Sequence, residues 1–271
     1  MDFYKVITAA VADMTEHGFD DLNRVQMWLV RIRRAAIDSL IPERVLQEQL
    51  AKTFRTTYKR LVENGGLTRF HPGIPQYTID RVKPKLRAEL DRRIMASADL
   101  IRLNRVNAIE KTLQRFSGWA TSIPMGGTDA ANRTDVKKDI KKALAGLPFE
   151  ERRVAIDQGH KFVANLNNIV ATDGGAIAAI WHSHYRQPGY NYRPDHKDRD
   201  GRVYMIRGNW ALERGLVRLA GREYYDQITA AGEEVYCRCF VTYIYSLGSM
   251  PADMLTSLGK SEIQRVRALL S

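Results

Sequence analysis

The sequence predicts an α+β protein in two unequal parts, an N-terminal helical region with long amphipathic helices followed by a smaller C-terminal α+β domain with a short antiparallel sheet. Three observations predict it. Apolar residues recur at three- and four-residue steps through most of the chain as far as Val170. Beyond Gly175 the pattern changes to short runs rich in Ile, Val and Tyr, bounded by turn residues. Between two long periodic stretches, Ile123 to Arg133 contains Pro124, Gly126 and Gly127 and no periodic pattern. The expected boundaries are therefore 1–122 for the helical region, 123–133 for a hinge and 134–271 for the C-terminal domain.

From Asp21 to Leu40, Leu22, Val25, Leu29, Ile32 and Ala36 form one stripe, while Arg24, Arg31, Arg33 and Arg34 take other faces. Pro42-Glu43 makes a good first helical turn, and Leu46, Leu50, Phe54, Tyr58 and Leu61 continue on one side until Asn64-Gly65-Gly66. Pro72, Gly73, Pro75 and Pro84 then predict a connection over 65–84 without long regular structure. A long helix is expected from Lys85 to Trp119, with Leu86, Leu90, Ile94, Ile101, Ile109, Leu113 and Phe116 as its stripe. Two more follow, Thr134 to Leu144 and Pro148 to Val170, the second stopping near Asp173-Gly174-Gly175. The runs AIAAIWHSHY, RVYMIR and VYCRCFVTYIY read as strands. In the last, alternation puts Cys237 and Cys239 on one face and Tyr236, Arg238 and Phe240 on the other. A short helix from Ser261 to Leu270 closes the chain.

At 271 residues, 44% hydrophobic and 27% charged, the composition is that of a folded chain and excludes a fibrous repeat or a disordered tail. A formal charge of +11 favours acidic partners, either nucleic acid or an acidic protein surface. The first residues, MDFYKVITAAVADMTEHGFDD, lack a cationic leader pattern, and no run approaches the roughly 20 apolar residues of a membrane span, so no membrane signal is expected. Cys237 and Cys239, one residue apart, are poorly spaced for a structural disulfide and point to a reducing compartment.

The same thiols suit a metal. Two cysteines at i and i+2 point one way along a strand, and His182 and His184 share that spacing, so Cys237, Cys239, His196 and one upstream histidine, His184 for preference, would make a four-ligand zinc site. The competing reading has His196 and Asp200 locking an Asp-Gly turn, with the thiols packed as small apolar residues. An enzymatic alternative, a metal-dependent nuclease or hydrolase, would use His182, His184, His196, Asp198 and Asp200. No nucleophile elbow, phosphate loop or His-Glu-x-x-His accompanies them, and the expectation is a protein that binds and assembles without catalysis. Lys137, Lys138, Lys141 and Lys142 form one cationic helix face, opposite Val136, Ile140 and Leu144, fit either for DNA phosphates or for solvent. Tyr185, Tyr190, Tyr192, Tyr204 and Trp210 serve either base stacking or packing.

One constellation is more specific. Trp181 is followed by Arg193-Pro194-Asp195-His196, by Asp200-Gly201 and, some forty residues later, by Cys237-Arg238-Cys239. In order and spacing this resembles the C-terminal part of the phage head morphogenesis family, the Mu F-like minor head (capsid) proteins. Gly189-Tyr190-Asn191-Tyr192 stands where the family often has an Asp and a second Arg, and Tyr236 where Asn is common. The resemblance implies a minor head protein of a tailed bacteriophage at the portal vertex, acting in head assembly, DNA packaging or genome ejection. It also implies partners among the portal, major capsid and scaffold proteins, and location in the virion, in the capsid interior or at the portal, after assembly in the host cytoplasm. The positive charge adds non-sequence-specific double-stranded DNA, since phosphate contacts carry no base information.

Overall fold

The computed structural model describes residues 2–123 and 134–270 and is α+β, as expected. The expected hinge at 123–133 lies, from 124 onward, outside the described residues. The chain divides into two compact units, each discontinuous in sequence.

The first unit comprises Met1–Lys52 and Ile94–Ile156. Helix α1 (Phe3–His17) begins where the Asp2 carboxylate accepts a hydrogen bond from the Tyr4 amide. Helix α2 (Leu22–Asp38) is capped by Asp21, which accepts from the amides of Asn23 and Arg24. Phe3, Val6, Ile7, Ala10, Val11 and Met14 make the buried stripe of α1, and they share a core with Val25, Trp28, Ile32, Ala35 and Ala36 of α2. Ile140 and Leu144 of α6 (Thr134–Ala145) close that core. Asp13 ties the two N-terminal helices, accepting from Trp28 Nε1 at 2.6 Å and Arg24 Nη1 at 3.2 Å.

The second unit comprises Thr53–Arg93 and Asp157–Ser271. Three helices contribute to both units: α3 (Glu43–Tyr58), α5 (Gln76–Ser122) and α7 (Leu147–Asp173). The expected connection over 65–84 is corrected: a short helix α4 occupies Gly66–Phe70, and α5 starts at Gln76 and runs straight through Pro84. An interior proline costs about 3 kcal/mol. Ile79, Val82, Leu86 and Leu90 flank it at no more than 2% exposure, and each buried side chain contributes about 1.5–3 kcal/mol, so burial wins. Glu89 and Arg93, both buried, pair at 3.0 Å, with Gln158 and Asn165 of α7 completing the network at 2.8 and 3.0 Å.

The sheet has the order β2-β1-β3, antiparallel throughout, with β1 (Ala178–His182) between β2 (Val203–Met205) and β3 (Phe240–Ile244). One face, with Ala178, Val203, Met205 and Ile244, packs on Ala211 of helix α9 (Trp210–Glu213) and on Leu216, Met250 and Met254. The opposite face carries Trp181 and Tyr204 toward Cys237 and Cys239. A helix α10 (Ser257–Leu270) ends the unit, its Gly259 so close to the Leu216 carbonyl that any Cβ there would collide with it. The expected third strand is corrected at its start: β3 begins at Phe240, and residues 236–239 are an irregular approach to it.

Candidate metal centre

Two loops build the centre. After β1 the chain turns into helix α8 (Pro194–Asp198), with Arg193 extended as its cap residue and Pro194 in the first turn, which places His196 inward at 1% exposure. The second loop precedes β3. Tyr236 sits at φ 61°, in the left-handed region that a bulky residue avoids, and its amide donates to the buried Asp157 carboxylate at 2.7 Å. That anchor turns the chain, so that both following thiols face His196 without the strand alternation the sequence suggested.

Cys237 Sγ and Cys239 Sγ each stand 3.5 Å from His196 Nδ1, and one ligand atom from each of the three buried residues lies within 4.8 Å of the others. The Gly232 amide donates to Cys237 Sγ at 3.4 Å, and the His184 amide donates to Cys239. Hydrogen bonding from the Cys239 thiol, reinforced by the Gly232 amide, pulls Cys237 below the usual thiol range against the opposing pull of burial. The same bond and burial push Cys239 up. The pull on Cys237 favours its thiolate form, next to an imidazole.

The far side of the imidazole is also specified. His196 Nε2 is buried without a hydrogen-bond partner, 3.5 Å from Glu234 Oε2 and 3.8 Å from Asp195 Oδ2. Arg193 holds Glu234 through Nε at 2.5 Å and the Val235 carbonyl through Nη2 at 2.9 Å. Trp181, fully buried, meets the His196 ring edge-on at 5.3 Å, and Arg199 lies over the indole at 5.1 Å. Asp200 accepts from the Ser183 amide at 2.7 Å, and Gly201, at φ 75°, donates its own amide to the Trp181 carbonyl at 2.8 Å. Arg238 is exposed between the two thiols, its amide bonded to Tyr190 Oη.

The structure thus brings together three of the four ligands expected from the sequence. His184 stands outside the group as a ligand, its ring tilted on Phe240 at 5.8 Å, and it supplies a backbone amide instead. His182 stacks on Phe240 at 4.8 Å and bonds Thr242 Oγ1 through Nε2. Asp198 is exposed, and Asp200 is spent on the turn. Glu234, Asp157 and Gly232 were missed by sequence reasoning. In the first unit, the α6 lysines keep the expected face: Lys138 and Lys142 are exposed, Lys141 lies over the Tyr4 ring at 4.9 Å, and among the described residues none of the four is ion-paired. No protein family, curated protein or solved structure matches the chain.

Two soft sulfurs and an imidazole, with amide donors to both sulfurs and a carboxylate behind the ring, are a donor set that could hold a metal ion. The set is compatible with zinc.

Proposed function

We propose that the chain is a minor head protein of a tailed bacteriophage that binds and assembles, and that its C-terminal unit is a scaffold tied together by zinc. One observation carries the reading: of the residues of the resemblance, Trp181, His196, Cys237 and Cys239 are buried against one another, with Arg193, Asp200, Gly201 and Arg238 around them nearer the surface. That is how a motif is used when its task is to hold two distant loops together. His196 and the two thiols would hold the ion, whose contribution is a cross-link between residues some forty positions apart. Arg193 and Glu234 orient the imidazole, and Trp181 excludes water from it. The nuclease alternative draws less support, since Asp200 and His182 already have partners within the fold.

The non-sequence-specific DNA partner follows from a charge of +11 and from the unpaired lysines of α6. Portal, capsid and scaffold partners, and the location in the virion, rest on the motif alone. Purified phage heads and their precursors, probed with an antibody to this chain, should contain it at low copy. Absence from both particles refutes the assignment, as would plasmid cleavage by the purified protein that His196→Ala abolishes.

A further inference from the structure

The loop between β1 and β2 and the start of β3 bring aromatic rings and cations to one edge of the second unit. Tyr185 and Tyr192 meet edge-on at 6.1 Å. Lys197 Nζ lies 5.6 Å from the first ring and 6.0 Å from the second, and the Arg186 guanidinium lies 5.1 Å from Tyr185. Next along, His184 links Tyr190 and Phe240, and Arg238 lies 5.7 Å over Tyr190. Tyr192 is 38% exposed and Phe240 48%, the latter with one face already stacked on His182.

The charges decide what this edge would take. Elsewhere in the unit Arg193, Arg199, Arg207, Arg222 and Arg265 each pair with a carboxylate. Among the described residues Arg186, Lys197 and Arg238 pair with none, and each lies against a ring instead. Unneutralised cations interleaved with exposed aromatic faces match a polyanion whose units carry flat rings. An acidic peptide would satisfy the cations and leave the rings idle, and a duplex buries its base faces in its own stack. Unstacked bases satisfy both.

We propose that this edge, formed by Tyr185, Tyr192, Phe240, Arg186, Lys197 and Arg238, is a binding surface for single-stranded nucleic acid. Bases stack on the rings and phosphates meet the three cations, with no reading of sequence. The inference is independent of the head-protein reading, because it concerns the purified chain whatever particle contains it.

Fluorescence anisotropy tests it with labelled oligo(dT), oligo(U) of the same length and a mixed-sequence duplex. The full chain should bind both single strands more tightly than the duplex. Tyr192→Ala and Phe240→Ala should each weaken oligo(dT) binding by about five- to a hundred-fold. Tyr192→Trp, which keeps a stacking face, should bind as well as the original. Lys197→Ala should flatten the salt dependence of log affinity by about 0.7. Thermal melting matched to the parent shows that each variant is folded. Tighter binding to duplex, alanine variants within about two-fold of the parent, or loss of binding in Tyr192→Trp would each overturn the proposal.

Discussion

Replacing Glu234 by Gln keeps the shape of the side chain and removes one charge from behind His196. The carboxylate oxygen lies 3.5 Å from Nε2, and the Glu234 side chain is 31% exposed. At an effective dielectric of about 20, two full charges at that distance would interact by about 5 kcal/mol. Only part of a bound cation's charge reaches the far nitrogen, and solvent screens a side chain this exposed, so a fraction of that figure is at work. Loss of a carboxylate that orients a metal-bound histidine costs about 10- to 100-fold in metal affinity, or about 1.4–2.7 kcal/mol. Titrating the zinc-loaded protein against a chromogenic chelator measures it directly. Glu234→Gln should fall in that range, while Glu233→Gln, whose exposed carboxylate caps the Ala230 amide, should stay within about two-fold of the parent. Should Glu234→Gln hold zinc as tightly as the parent while Cys237→Ser loses it, then Nε2 is not oriented by this carboxylate and the outer shell described above is wrong.

Metal analysis of the purified chain should return a single zinc, lost in Cys237→Ser and in Cys239→Ser, and chelation should lower the melting temperature; a metal-free chain whose melting ignores chelator contradicts the site. His71 is fully buried between Tyr245 Oη at 2.5 Å and Asn167 Oδ1 at 3.0 Å, and burial lowers it from 6.5 to about 4. It stays neutral in the fold, so the stabilisation it gives is whole above its unfolded value of 6.5 and drains away as pH falls towards about 4, by about 3 kcal/mol. Denaturant unfolding of the parent and of His71→Gln should therefore show the parent's advantage at neutral pH shrinking near pH 4; a constant difference would mean the imidazole is not held neutral. Gly259→Ala forces a Cβ onto the Leu216 carbonyl and should cost about 1–3 kcal/mol in the same assay, whereas Gly248→Ala, with open space around it, should show none of that steric cost.

Much of the helical architecture was legible, because a buried stripe leaves a period in the sequence. Helix α1 shows how plainly: Phe3, Val6, Ile7, Ala10, Val11 and Met14 fall at three- and four-residue steps. Pro84 misled in the opposite direction, since a local rule worth about 3 kcal/mol was outweighed by burial that no local window shows. The meeting of His196 with Cys237 and Cys239 could be read from ligand types. The way it is achieved could not, because the left-handed Tyr236 depends on Asp157, 79 residues earlier. Glu234 gave no signal either, being one carboxylate among 31 until the fold set it behind a ring nitrogen. The limits of the two units were likewise invisible, since a stripe says that a helix is covered and not by what.

Those limits bear on how the chain is made. A ribosome delivers Met1–Lys52 well before Ile94–Ile156, so the unit they form is complete only when Ile156 has emerged. By then Thr53–Arg93, with Leu61, Leu67, Ile79, Leu86 and Leu90, has waited through the synthesis of the whole intervening stretch for the partners that follow Asp157. At about 5–20 residues per second that wait lasts several seconds. A greasy segment left uncovered for so long is what holding chaperones capture, and fragments ending between the units would carry the same burden permanently.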